Sequence, residues 1–152
     1  MKKTSVILCD DSRVDHGAFS FVRKRLGAAA GGQKLGASWF ELQPGKKAFP
    51  AHYHLANEEA VFVLEGEGVL RYGDEEMPLR PGDYVAFPPG PPGRQVVNRG
   101  TAPLRYLALS TMIEPEVAVY PDSKKVGVLA RSQNLASVHK QDDAVDYYEG
   151  EE

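Results

Sequence analysis

Two histidines and a nearby carboxylate are the residues whose types and spacing point most directly to chemistry. His52 and His54 lie two positions apart, and Glu59 follows shortly after them. If residues 48–54 form a strand, both imidazoles project from the same face. A turn over residues 55–57 would return the chain antiparallel and bring Glu59 opposite the pair. Two neutral imidazoles and one carboxylate bind a divalent metal ion and leave coordination positions open for water or substrate.

The elements that position these side chains are predicted to be β-strands. Short apolar stretches alternate with a period of two, and most of the 15 glycines and 11 prolines fall between them. Closely spaced short strands favour a closed barrel or a jelly roll, since closure removes exposed sheet edges. Little helix is expected. The pattern predicts strands over residues 37–42, 48–54, 59–64, 68–72, 84–87, 95–98 and 104–112.

The chain length of 152 residues fits one domain. We expect an N-terminal arm over residues 1–35, because this stretch is less regular and becomes rich in Ala and Gly towards its end. The barrel is expected over residues 36–130. Residues 131–152 are expected to form a C-terminal tail. From Gln141 onward this tail is acidic and contains no Lys or Arg, so we interpret it as solvated.

A second block of Gly, Pro and strand-forming residues lies downstream, over residues 82–98. Together the two blocks resemble the cupin family. Its first motif is a Gly, a His-x-His pair, a Glu and a further Gly. Its second is a Gly, a Pro-x-Gly, and a His and an Asn with three residues between them. The matching residues here are Gly45, His52, His54, Glu59 and Gly66, followed by Gly82, Pro88, Gly90 and Asn98.

The resemblance implies an all-β fold, a cupin-type jelly-roll β-barrel in a single domain. It also implies that His52, His54 and Glu59 bind a divalent metal ion, which the family would allow to be zinc, manganese, iron or nickel. The family spacing to Gly66 selects Glu59 rather than Glu58 as the carboxylate ligand. Glu58 has the opposite strand parity and should face outward.

The second block departs from the family pattern at one position. With three residues between it and Asn98, the place where most cupins have a fourth ligand, a histidine, holds Arg94. A cation at 4 Å from another unit charge is repelled by about 4 kcal/mol at an effective dielectric of 20, so Arg94 should not touch the metal. The loop is one residue longer than usual, which leaves Gly93 or Gln95 as alternatives, and of these only Gln95 could coordinate.

Two outcomes follow from this departure. Either three protein ligands and water hold the metal while Arg94, with Gln95 beside it, binds an anionic substrate, or the metal is held weakly or lost. The first leads to a metal-dependent enzyme acting on a small anionic or sugar-like molecule. Cupins that isomerise or epimerise sugars and sugar phosphates make an isomerase or epimerase the first class to test. No catalytic base is assigned.

Other classes use the same residues. Iron bound by two histidines and one carboxylate activates dioxygen, which gives a non-heme iron dioxygenase as one alternative. A non-catalytic module that binds or senses a small molecule is another, motivated by the missing fourth ligand. A purely structural barrel would have no cavity able to admit a ligand.

Charge and composition bear on partners and location. The net charge of -3 provides no basic field, so nucleic acid is not an expected partner. No apolar run is long enough for a membrane span or a signal peptide, and the single Cys9 excludes an intramolecular disulfide. We therefore expect a cytoplasmic protein with no membrane partner. Open sheet edges predict a homodimer.

Overall fold

The computed structural model describes residues 1–151 of the chain. Its strands are β1 Ser12–His16, β2 Phe19–Lys24, β3 Leu35–Leu42, β4 Tyr53–His54, β5 Glu59–Glu65, β6 Gly68–Tyr72, β7 Glu75–Leu79, β8 Tyr84–Phe87, β9 Arg94–Val97, β10 Leu104–Thr111, β11 Glu116–Tyr120, β12 Lys125–Ala130 and β13 Leu135–Lys140. A four-residue helix, α1, spans Leu26–Ala29, and short 3-10 turns span Pro121–Ser123, Arg131–Gln133 and Gln141–Asp143.

The strands form three antiparallel sheets that together make an all-β barrel. One sheet has the order β1-β2-β3-β10-β5-β8, the second β13-β12-β11-β4 and the third β7-β6-β9. β3 and β10 pair over their whole lengths, from Leu42 opposite Leu104 to Leu35 opposite Thr111. This long central pair lets the outer strands curve around one interior.

The barrel interior is apolar and receives side chains from both the six-stranded and the three-stranded sheets. Alternate residues point inward, as the period of two requires. The buried cluster comprises Phe21, Phe40, Leu42, Ala48, Val61, Val63, Leu70, Leu79, Phe87, Val96, Leu104 and Tyr106. The Phe40 and Tyr106 rings stack with centroids 5.1 Å apart, which fixes the packing of β3 on β10 next to the site described below.

Most predicted strands are confirmed, but the one predicted over residues 48–54 is wrong along most of its length. Only Tyr53 and His54 are in a strand there. Pro50 cannot donate a backbone hydrogen bond, and the chain instead contacts its neighbours through isolated bridges. One of these joins His52 to Arg94, and it preserves the position of the first histidine.

The segments outside residues 36–130 also contain strands. β1 and β2 extend the large sheet beyond β3, with Phe21 buried in the barrel core. β13 pairs with β12 and forms the edge of the four-stranded sheet. Beyond Lys140 the described residues contain only a 3-10 turn and are exposed. Within residues 1–151, no helix is long and apolar enough to cross a membrane.

Candidate metal centre

His52, His54 and Glu59 converge at one end of the barrel. One ligand atom from each side chain lies within 4.8 Å of the other two. His52 sits on the bridge to Arg94, His54 lies in β4, and Glu59 begins β5 after the turn. These side chains converge as expected from the sequence, but the expected antiparallel hairpin is wrong, because β4 pairs with β11 whereas β5 pairs with β10 and β8.

The backbone fixes the orientation of the His52 ring. Its Nδ1 lies 2.8 Å from the Pro50 carbonyl oxygen, which can only accept a hydrogen bond. Nδ1 therefore carries the proton and Nε2 keeps a free lone pair. Burial lowers the pKa of His52, against a smaller opposing effect of the Pro50 hydrogen bond. The neutral ring is the form that binds metal ions.

A buried carboxylate that sequence reasoning missed lies behind His54. Glu116 is 3% exposed, and its Oε2 lies 3.6 Å from His54 Nδ1. On the other side of the ring, His54 Nε2 lies 3.3 Å from Glu59 Oε1. A carboxylate beside Nδ1 favours a proton on that nitrogen and leaves Nε2 as the donor atom, which is the usual arrangement around a metal-binding histidine.

Glu116 also holds the turn that follows His54. Its carboxylate accepts backbone hydrogen bonds from Leu55 at 3.1 Å, Ala56 at 3.2 Å and Asn57 at 2.8 Å. Burial raises the pKa of Glu116, but these hydrogen bonds and the nearby His54 outweigh burial and lower it. Glu116 thus stays charged and fixes the position from which the chain enters β5. The pairing of β11 with β4 explains why Glu116 reaches His54, since Ala118 pairs with His54 and Glu116 shares the face of Ala118.

Arg94 lies beside the cluster. The residue is 4% exposed, and its Nη2 lies 2.8 Å from Glu59 Oε2. The guanidinium carbon lies 5.4 Å from the centroid of the Phe87 ring, and Phe87 pairs directly with Glu59 across β5 and β8. Arg94 therefore orients the Glu59 carboxylate from the side opposite His54.

Glu59 is ionised in this environment. Burial raises its pKa, but the hydrogen bond with His54 and the nearby positive charge of Arg94 outweigh burial and bring the pKa of Glu59 down to about 2. One carboxylate oxygen faces His54 and the other faces Arg94. The oxygen towards the histidines is the one available to a cation.

Gln95 is not brought to the cluster. It is buried, and its side-chain amide donates a hydrogen bond to the Phe49 carbonyl. Because successive residues of a strand point to opposite faces, Gln95 faces away when Arg94 faces in. Among the predicted site residues, the structure therefore groups four and leaves Gln95 apart.

The donor set fits a divalent metal ion. Imidazole nitrogens and a carboxylate suit zinc, manganese, iron or nickel. Ligands bound at about 2.1 Å to one ion lie about 3 to 4 Å from one another. The 3.3 Å separation of His54 Nε2 and Glu59 Oε1 is within this range, and the full set within 4.8 Å needs only small side-chain rotations.

The cluster opens onto a cavity of about 320 Å³. The three candidate metal ligands line its wall. The other lining side chains include Glu116, Tyr120 and Arg23. A smaller space of about 80 Å³ lies on the inner side of the cluster, between Arg94, Phe87 and Tyr106. The candidate centre is thus accessible from outside and backed by the apolar core.

Comparisons with known proteins agree with this architecture. The family model described as a cupin domain matches residues 38–110. The structure of a protein named a sugar phosphate isomerase from a cupin superfamily, from Silicibacter pomeroyi, is 32% identical with a TM-score of 0.82, covering 93% of this chain and 94% of that one. A protein of Acidithiobacillus ferrooxidans, provisionally named a sugar phosphate isomerase, is 28% identical with a TM-score of 0.81, covering 90% and 88%.

A third relative is known by sequence. A 59-residue segment is 34% identical to the uncharacterized protein MJ1618 of Methanocaldococcus jannaschii and covers 39% of this chain. The match spans 46% of that curated relative, a little under half of its length. The chain belongs to the cupin superfamily, and the jelly-roll barrel expected from the sequence is confirmed.

Proposed function

We propose that this cupin is a metal-dependent isomerase of a small phosphorylated sugar. The observation that carries the proposal is the convergence of His52, His54 and Glu59 at the floor of an open cavity. Two solved relatives with the same fold over most of both chains bear the name sugar phosphate isomerase. Their names suggest the substrate class, and the donor set of this chain suggests the chemistry.

A divalent ion held by His52, His54 and Glu59 would act as a Lewis acid that polarises a carbonyl oxygen of the substrate. The protein groups around it have separate tasks. Pro50 fixes the His52 ring, Glu116 faces the proton-bearing side of His54, and Arg94 orients Glu59. The inner wall of the cavity excludes water from the side of the core.

Tyr120 is the side chain on the cavity wall best placed to take part in proton transfer. Its ring centroid lies 5.8 Å from that of His52, and it is on the same face of β11 as Glu116. Burial raises the pKa of the Tyr120 hydroxyl, so the group is protonated and can donate. We assign it the role of proton donor to the substrate oxygen.

The test combines metal content with an activity screen. Protein purified without chelator is analysed for bound metal and assayed for interconversion of aldose and ketose phosphates by NMR, beside His54→Ala and Tyr120→Phe variants. Isomerisation that requires the metal, is lost in His54→Ala and is reduced at least tenfold in Tyr120→Phe supports the proposal. Iron accompanied by oxygen uptake, or metal-bound protein that isomerises none of the phosphorylated sugars, contradicts it.

A non-catalytic binding module is the second candidate, and the Arg94–Glu59 ion pair favours it. Because Arg94 already neutralises Glu59, the cluster is electrostatically balanced without an ion. Such a module would bind small ligands with equal affinity before and after treatment with a chelator. Ligand binding that disappears with the metal would exclude it.

We also propose that the protein is a cytoplasmic homodimer. β8 is an open edge of the large sheet, and Tyr84 on this edge is 60% exposed. Such an edge can pair with a second copy. Light scattering after size exclusion should give twice the chain mass of 16.6 kDa, and a monomer at micromolar concentration would contradict the proposal.

A further inference from the structure

We propose that Arg23, and not Arg94, binds the phosphate group of the substrate. This inference rests on the proposed function, because it names the residue that selects a phosphorylated molecule for the same cavity. Arg23 lies in β2, within the segment that was expected from the sequence to form an N-terminal arm. The structure instead makes its side chain part of the cavity wall, together with His52, His54 and Glu59.

The position of Arg23 follows from the pairing of β2 with β3. Arg23 pairs with Phe40, whose side chain points into the barrel core. Arg23 Nε donates a hydrogen bond of 3.1 Å to Ser38 Oγ, and the guanidinium carbon lies 5.5 Å from the centroid of the Phe40 ring. These contacts fix the stem and one edge of the guanidinium, and they leave the two terminal nitrogens for another partner.

The charge of Arg23 is not balanced by the protein. Six arginines within residues 1–151 form an ion pair with a carboxylate, namely Arg13, Arg71, Arg94, Arg99, Arg105 and Arg131. Arg23, Arg25 and Arg80 form none in this part of the chain, and of these three only Arg23 is not exposed. Its side chain is nevertheless largely removed from water, and burial lowers its pKa. A cation that is partly desolvated without an anionic partner is costly unless a ligand provides the anion.

A phosphate is the anion that this geometry suits. The planar guanidinium presents parallel N–H groups that match two phosphate oxygens, and such pairs are stronger than neutral hydrogen bonds. Arg131 lines the same cavity and contributes a second positive charge at the rim, although Glu114 lies 3.3 Å from it. The cavity of about 320 Å³ is at the small end of ligand sites, which suits a sugar phosphate rather than a nucleotide.

Arg94 is less suited to this role. It is 4% exposed, already bound to Glu59, and lines the inner space rather than the open cavity. A substrate phosphate at Arg94 would have to displace Glu59 from its ion pair. Arg23 needs no such displacement, because its terminal nitrogens have no carboxylate partner within the described residues.

The test uses inorganic phosphate as the probe, with ribose 5-phosphate and ribose as a matched pair. Binding to the full-length protein is measured by calorimetry and by broadening of the ³¹P NMR signal. The variants are Arg23→Gln, Arg23→Lys and the control Arg13→Gln, which removes the same charge from a side chain that is 72% exposed and outside the cavity. Circular dichroism and melting temperature confirm that each variant folds.

We expect Arg23→Gln to weaken binding of inorganic phosphate and ribose 5-phosphate at least tenfold, since an ionic hydrogen bond is lost. Arg23→Lys should recover part of that loss, whereas ribose binding should be unchanged. Arg13→Gln should stay within twofold of the natural protein. Phosphate binding by folded Arg23→Gln that equals the natural protein, or no phosphate binding by the natural protein, overturns the inference.

The outcome is separable from that of the proposed function. If Arg23→Gln loses phosphate binding while the natural protein isomerises no sugar phosphate, the anion site stands and the isomerase proposal fails. If the natural protein isomerises sugar phosphates and Arg23→Gln has the same KM and kcat, the isomerase proposal stands and the anion site is wrong. A rise in KM for the phosphorylated substrate in Arg23→Gln agrees with both.

Discussion

The two chain segments that face each other across the candidate centre differ in charge. The segment from His52 to Glu59 provides three groups that can bind a metal ion, whereas β9 provides the guanidinium of Arg94 at the place directly opposite His52. Side chains from other strands contact both sides. Glu116 braces the histidine side, and the Phe87 ring lies beside Arg94.

The residue opposite His52 therefore decides whether the candidate centre has a fourth donor or a positive charge. A neutral donor opposite His52 would add a ligand, but a guanidinium adds a positive charge and occupies one oxygen of Glu59. The site therefore combines an ion pair with a three-donor set.

The largest effect is expected for Glu59→Gln, which affects both sides. It removes a metal ligand and leaves Arg94 buried without a counterion. Loss of a residue that only hydrogen-bonds to a metal ligand typically lowers metal affinity by roughly 10- to 100-fold. Because Glu59 is itself a ligand, metal affinity should fall by about a hundredfold or more. The free energy of unfolding should fall by about 3 kcal/mol in chemical denaturation.

The adjacent Glu58→Gln variant is the matched control, because Glu58 is exposed and outside the cluster. It should change neither quantity measurably. Equal losses in the two variants would show that Glu59 has no special role.

Arg94→His converts the cationic side into a fourth donor. Removing the repulsive charge and adding an imidazole opposite His52 should raise metal affinity about tenfold or more in competition titrations with a chelator. Arg99→His on the exposed part of the same segment is the control, and it should leave the affinity unchanged. An unchanged or lower affinity in folded Arg94→His would mean that Arg94 does not limit metal binding.

Glu116→Gln tests the support of the histidine side. An amide cannot accept all the backbone hydrogen bonds that the carboxylate accepts at the turn after His54. We expect the free energy of unfolding to fall by about 2 kcal/mol. Metal affinity should fall about tenfold because His54 loses its carboxylate neighbour. A loss of stability with no change in metal affinity would limit Glu116 to a structural role.

Gln95→Ala should have the smallest effect and tests whether Gln95 could serve as a ligand. Its amide bonds to the Phe49 carbonyl, so the variant should lose about 1 kcal/mol of unfolding free energy. Metal affinity should not change. A clear loss of affinity with unchanged stability would place Gln95 at the metal instead.

Local spacing was sufficient to predict part of this molecule. The His-x-His pair, Glu59 and the glycine-separated strands are readable because each depends on neighbours within a few residues. The family spacing to Gly66 selected Glu59, and the opposite strand parity of Glu58 agrees with its exposed position. The hairpin expected there is wrong, because local alternation shows neither that β4 pairs with β11 rather than with β5 nor how far the Pro50 region departs from regular pairing.

Side chains that reach the site from distant strands were not predictable in the same way. Glu116 contacts the turn after His54 only because β11 pairs with β4, and a glutamate at the start of an apolar strand resembles a solvated end. Arg23 lies in a strand that pairs with β3 across the intervening helix α1. Its only local signal is that it continues the inward alternation of Phe19 and Phe21.

Metal content measured side by side in the natural protein and His52→Ala tests the central claim most directly. Each protein is reconstituted with one equivalent of Zn²⁺ or Mn²⁺ and then dialysed against metal-free buffer to remove unbound ion. Plasma mass spectrometry then gives the ratio of metal to protein. The account predicts about one ion per chain in the natural protein and almost none in folded His52→Ala. The same ratio in both proteins would contradict it.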